Sequence, residues 1–202
     1  NLTRSAGEGV GSYNITGGSA NLSAAIAANY SQAFSNTNTV LGITKANLTV
    51  AVANQTKVYG TDDPTVGNVS ANLSGLKNVS VTNWNNASTA LNDSAATATF
   101  TNLTRSAGEG VGSYNITGGS ANLSAAIAAN YSQAFSNTNT VLGITKANLT
   151  VAVANQTKVY GTDDPSAGGV SANLSGLKNV SVTNWNNAST ALDDSAASEI
   201  GR

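Results

Sequence analysis

The chain is one passage written twice. Residues 1–101 and 102–202 align without a gap, and they differ only at Thr65/Ser166, Val66/Ala167, Asn68/Gly169, Asn92/Asp193 and the last five positions. Internal repetition constrains what a chain can fold into more than any local signal does. A period of 101 residues is too long for a solenoid rung and matches one small domain. The first expectation is therefore beads on a string, each period burying its own core. A catalytic site rarely needs two near-identical copies in series, whereas a stalk, a fibre or a multivalent binder does.

Charged residues make up only 9 % of the chain and the formal net charge is −1. That excludes the basic patch nucleic acid requires and a polybasic membrane anchor. No apolar run is long enough to insert in a membrane as a helix. The opening residues 1–10 lack the apolar stretch of a signal peptide, which suggests a piece of a longer protein. With no His, Cys or Met, the usual zinc ligands, thiol nucleophiles and a Ser-His-Asp triad are missing. The expectation is no enzyme and no cofactor. Few charges, no Cys and an abundance of Asn, Ser, Thr, Gly and Ala suit an exported, extracellular chain.

Period-two alternation of β-branched or aromatic residues with polar ones predicts strands over 47–53, 77–84, 96–101, 112–117 and 140–145. Turn formers separate them at 59–64, 74–78, 107–110 and 117–120. The fold expected is all-β: tandem small β-sandwich-like domains, Ig-like or β-grasp-like. Residues 19–30 are Ala-rich and fit either a short helix, with Asn21 or Ser23 as its N-cap, or an irregular loop. A boundary at 101/102 would cut a strand pattern. The better frame is 1–45 as the C-terminal part of a repeat unit, 46–146 as a complete unit and 147–202 as the N-terminal part of another. Such parts expose unpaired strand edges and should seek neighbouring repeats of the same or adjacent chains by strand complementation.

The complete unit resembles a known repeat. Lys-Val-Tyr-Gly-Thr-Asp-Asp-Pro (57–64) is similar to the KVYG-x-x-DP opening of MBG-type (YGX) repeats of bacterial surface proteins, many of them filamentous-haemagglutinin-like adhesins. Residues 103–117 resemble the LtRxaGExvGtYxIt centre of those repeats. Asn130-Tyr131, Phe135 and residues 141–146 resemble their closing strands. The resemblance implies an extracellular location on a bacterial cell surface and a structural role in an adhesin stalk or fibre shaft. It implies no catalytic residue. The stretch Asn78–Ser94 departs from the pattern and suggests a local embellishment.

Other signals have plain structural accounts. The triplet Asn-x-Ser/Thr begins at Asn1, Asn14, Asn21, Asn29, Asn47, Asn54, Asn68, Asn72, Asn78, Asn86 and Asn92 in the first period. It marks candidate glycosylation sites, and it is also what a half-buried strand writes when i and i+2 face water. Arg4/Arg105 and Glu8/Glu109 flank a glycine turn and read as an ion pair, worth only ~0–1 kcal/mol if exposed. Asp62–Asp63 and Asp163–Asp164 could offer oxygens to calcium but supply too few, and fit a turn before Pro64 and Pro165 better. Glu109-Gly110-Val111-Gly112 lacks the context of a phosphate loop, and nothing singles out Lys57 for a crosslink to Asn. Trp84 and Tyr114 could stack on a sugar, although single aromatics in small β domains usually anchor cores. These aromatics support the alternative expectation: a multivalent module that binds host or matrix glycan or protein through weak repeated sites.

Overall fold

The computed structural model describes residues 1–195; the last seven residues of the 147–202 segment lie outside that range. The described chain is all-β apart from short helical turns. Residues 1–45 hold β1 (Leu2–Arg4), β2 (Gly11–Gly18), α1 (Ala24–Ala27) and β3 (Val40–Ile43). Residues 46–146 hold β4 (Ala46–Val52), β5 (Gln55–Val58), β6 (Ala71–Ser74), β7 (Asn78–Thr82), β8 (Ser88–Asn92), β9 (Ala98–Arg105), β10 (Gly112–Leu123), α2 (Ala125–Ala128), β11 (Tyr131–Ser136) and β12 (Val141–Thr145). Residues 147–195 hold β13 (Thr150–Val153), β14 (Ala172–Ser175), β15 (Asn179–Thr183) and β16 (Ser189–Asp193). No described helix is long and apolar enough to cross a membrane.

Two compact units divide the chain, and neither follows the 101-residue period. The first comprises Asn1–Ala51, Ala71–Thr99 and Ala121–Ser136. It holds the antiparallel sheet β1-β2-β3, the sheet β11-β4-β6 and the hairpin β7-β8. In β4 the alternation read from the sequence is realised: Leu48 and Val50 point inward while Asn47 faces water. β11 runs parallel to β4, from Tyr131 beside Ala46 to Ser136 beside Ala51. Leu48, Ile127 and Tyr131 form its core, with Ala46, Leu73, Leu76, Ala96 and Leu123 packed against them. The Tyr131 hydroxyl donates to Asp93 Oδ2 at 2.6 Å and accepts the Lys77 amide at 2.7 Å, so its polar end is satisfied. Burial, and then the Asp93 carboxylate, push that phenol above its usual range.

The second unit comprises Val52–Ser70, Phe100–Ser120 and 137–195. Its main sheet has the order β5-β12-β10-β9, with β12 antiparallel to β10 and parallel to β5. Phe100, Leu103, Ile116, Leu142 and Ile144 are buried there. The two-stranded sheet β13-β14 and the hairpin β15-β16 complete it.

Two local expectations need comment. The Ala-rich stretch forms a single helical turn in each period, entered at Ser23 and Ser124 without a side-chain cap. Thr117–Ser120, read as a turn, instead lies inside β10. A Cβ on Gly118 would sit 2.9 Å from Thr104 Oγ1, so this glycine serves close packing on β9 rather than a reversal.

Candidate functional site

The charges of the two family-like motifs converge in the second compact unit. Lys57 comes from the inward face of β5, Asp63 from the loop after it, Arg105 from the end of β9 and Glu109 from the turn before β10. Arg105 Nε donates to Asp63 Oδ2 at 2.7 Å and Nη2 to Asp63 Oδ1 at 3.0 Å. The same Nη2 reaches Glu109 Oε1 at 2.5 Å. Lys57 Nζ closes the ring, 2.5 Å from Glu109 Oε2 and 2.8 Å from Asp63 Oδ1. Two cations and two anions thus neutralise one another, and all four side chains are buried.

The 105–110 turn wraps the guanidinium. Arg105 Nη1 donates to the carbonyls of Ser106 (3.1 Å) and Gly108 (2.7 Å). The Tyr114 ring lies 5.3 Å from the guanidinium carbon, and its hydroxyl donates to the Gly110 carbonyl at 2.8 Å. Gly108 has φ +130°, and a Cβ there would lie 2.2 Å from Tyr114 Cε1. Only glycine fits.

Counted in the 46–146 frame, the site is covered from the period that follows. At the tip of β15-β16 the Trp185 amide donates to Asp63 Oδ2 at 2.9 Å, and its indole Nε1 to the Pro64 carbonyl at 2.7 Å. The Thr183 amide donates to Asp62 Oδ1 at 2.7 Å, and the Asp63 amide to the Thr183 carbonyl at 3.1 Å. Asn186 clips the Arg105 backbone, accepting its N–H at 3.0 Å and donating to its carbonyl at 2.9 Å. The hairpin itself is built by Asn184, whose Oδ1 accepts the amides of Asn186 and Ala188, and by Asn187 at φ +59°. This is the second copy of the stretch that departs from the family pattern. Beads on a string is therefore corrected: the interior of one period is finished by a hairpin of the next.

The electrostatics agree with the geometry. Burial alone would raise the Asp63 carboxyl, but hydrogen bonds from Arg105, Lys57 and the Trp185 amide, with the charge of Arg105, hold it below the usual carboxylate range. Burial would lower the Arg105 guanidinium, and Asp63 and Glu109 outweigh it and raise it. No buried side-chain nitrogen or oxygen among the described residues lacks a hydrogen-bond partner.

The expected pairing of Arg105 with Glu109 is present, but it is buried and shared, so the small worth of an exposed pair does not apply. In the first period Arg4 pairs with Glu8 and sits 5.2 Å from the Tyr13 ring, with Asn85 clipping its backbone. Both Asp63 oxygens are engaged by cations and Asp62 by Thr183, so the Asp62–Asp63 pair serves the turn rather than presenting oxygens to a metal. Tyr114 braces the turn, while Trp84 is exposed. Asn1, Asn14, Asn21, Asn29, Asn47, Asn54, Asn72, Asn78 and Asn86 all face solvent. The reading from sequence missed Lys57 and Asp63 as ion partners, and the cover by Trp185. The signal for the first two was their place in the motif in a chain with only nine Lys and Arg.

No curated protein and no solved structure matches this chain. Residues 48–141 match the family model described as MBG domain (YGX type), a repeat family of surface proteins. That segment contains Lys57, Asp63, Arg105 and Glu109. Residues 48–141 are thus similar to the MBG domain of the YGX type.

Proposed function

We propose that this chain is an extracellular structural repeat, forming part of the stalk or fibre shaft of a bacterial surface adhesin, with 46–146 as the repeat unit. The observation that carries the reading is the interlock at the motif. The charges that define the repeat are spent inward on one another, and a hairpin of the next period is seated over them. Residues arranged this way contribute cohesion between successive periods, which a shaft needs and a ligand site does not. Tandem copies then supply length, and the uncharged Asn/Ser/Thr surface supplies solubility.

The test has two arms. Adding or removing one 101-residue period in the surface-displayed protein should change reach and adhesion efficiency without changing which ligand is bound. The 202-residue chain, applied to a panel of host glycans and matrix proteins, should show no saturable binding. Saturable binding that Trp84→Ala or Tyr114→Ala abolishes would replace the shaft by a multivalent binding module.

A further inference from the structure

Residues 1–45 repeat the sequence of 102–146, and residues 147–191 repeat that of 46–90 except at Ser166, Ala167 and Gly169. Identical side chains therefore appear in two settings, and the difference is systematic. Tyr131 is 3 % exposed, whereas Tyr30 is 72 % exposed. Val50 is 2 % exposed and Val151 is 59 % exposed. Ile26 and Phe34 join Tyr30 on one bare face; Leu149 and Val153 join Val151 on another. Backbone follows the same rule. Residues 131–136 form a strand and their copy, 30–35, does not; 55–58 form a strand and their copy, 156–159, does not. In each case the ordered copy has its partner strand and the irregular copy lacks one.

The two bare faces are the two halves of one interface already present within 46–146. There, the face carried by 102–146 closes on the face carried by 46–90. We infer that a second copy of this chain occupies them, its residues 1–45 seating on residues 147–195 of the first, in the arrangement the intact repeat displays. The register is set by that arrangement. Tyr30 lies beside Ala147 and Phe34 beside Val151 in a parallel pair, as Tyr131 lies beside Ala46 and Phe135 beside Val50.

The charges complement as well. Lys158 and Asp164 of one copy, an exposed pair at 2.5 Å, meet Arg4 and Glu8 of the other and rebuild the four-membered ring of Lys57, Asp63, Arg105 and Glu109. The cover is already waiting. Asn85 holds Arg4 as Asn186 holds Arg105, so the Asp164-Pro165 loop closes over Trp84. Trp84 is 40 % exposed and Trp185, with that loop in place, 6 % exposed. Because the two faces differ, the contact is head-to-tail.

Sedimentation velocity of the 202-residue chain over a wide concentration range tests this directly. Mass should climb above one chain per particle as concentration rises, with Trp84 emission shifting to the blue. Tyr30→Asp and Val151→Asp alter residues exposed in the single chain, so both variants should keep the wild-type circular dichroism spectrum. Each should weaken association by more than about 100-fold, since it would place an unpaired carboxylate inside the contact. Mixed one to one, they retain one good face each and should form a heterodimer that grows no further. A wild-type chain that stays at one chain per particle overturns the inference. So does a mixture of the two variants that stays monomeric while wild type associates.

Discussion

Arg105→Met is the sharpest test of the buried cluster. Methionine keeps most of the volume and removes one positive charge from a side chain wholly shielded from water. Lys57 is then left with Asp63 and Glu109, a buried excess of one negative charge. Breaking a buried ionic arrangement from one side costs about 3–5 kcal/mol. An independent ceiling comes from proton uptake: neutralising one carboxyl of ordinary affinity costs about 4 kcal/mol at pH 7 and about 1.4 kcal/mol at pH 5. The penalty should therefore shrink as pH falls. Asp63→Asn in the same background restores neutrality and should recover part of the loss, a coupling of about 1–3 kcal/mol. Urea unfolding followed by tryptophan emission at pH 7 and pH 5 measures all three quantities. Arg4→Met is the internal control: Arg4 is also buried but has only Glu8 as ionic partner, so one carboxylate rather than two is left over, and the cost should be smaller than for Arg105→Met, about 1–3 kcal/mol. A penalty for Arg105→Met that is below 1 kcal/mol, or is the same at both pH values, would refute the reasoning.

Further outcomes follow from the same geometry. Gly108→Ala meets a positive φ and the Tyr114 ring and should cost about 2–4 kcal/mol in urea unfolding, while Gly67→Ala, facing open space, should stay within about 0.5 kcal/mol. Asp63 titrates lower in the folded chain than in the unfolded one, so between those two values the native state binds fewer protons. Its contribution is complete above about pH 5 and is lost as pH drops through about 4 toward the depressed folded value; Asp63→Asn should flatten that acid limb of an unfolding curve. In Trp84→Phe the remaining indole, Trp185, should emit to the blue and resist acrylamide quenching, whereas in dilute Trp185→Phe the exposed Trp84 should emit to the red and quench freely. Equal quenching in both variants would remove the cover over Pro64.

What was legible in the sequence was what each residue decides with its neighbours. Leu48, Val50 and Val52 alternate with Asn47, Thr49 and Ala51, and such a pattern offers one face for burial once a partner covers it. By contrast, the strand expected over 77–84 stops at Thr82, because Asn83 Oδ1 accepts the amides of Asn85 and Ala87 and Asn86, at φ +58°, turns the hairpin. The ion cluster was half legible. Arg105 and Glu109 are four residues apart across a turn, but Lys57 and Asp63 arrive from a distant strand and loop, and no local rule joins them. Thr117–Ser120 misled because glycine marks both turns and close strand contacts, and only the neighbouring strand decides which. Strand 55–58 was beyond reach for the same reason, and strand 131–136 was marked only by the resemblance of Tyr131 and Phe135 to closing strands of the family. Their own copies at 156–159 and 30–35 stay irregular, so four to six residues of this composition form a strand only when a ladder is offered.

That dependence fixes where a repeat can be cut. All ladders formed by 46–146 are internal to it, so its sheets are self-sufficient. Its charge cluster is not. A fragment 46–146 loses the Trp185 amide from Asp63, the Thr183 amide from Asp62 and the indole from Pro64, and water enters beside Asp63. Hydrogen bonds to charged groups contribute about 1.5–3 kcal/mol each, and solvent returns part of that when the cover is removed. Burying the indole adds about 2 kcal/mol, and ordering the hairpin subtracts from the sum. A fragment 46–195 should therefore exceed 46–146 in stability by about 2–4 kcal/mol, with Asn186→Ala in the longer fragment giving back about 1 kcal/mol of it. Equal urea midpoints for the two fragments would mean that the hairpin rests on the cluster without stabilising it. A shaft made of such units would then come apart at each joint before any unit unfolds. If the difference is found, joint and unit share one cooperative core, and the array fails by unfolding rather than by separating.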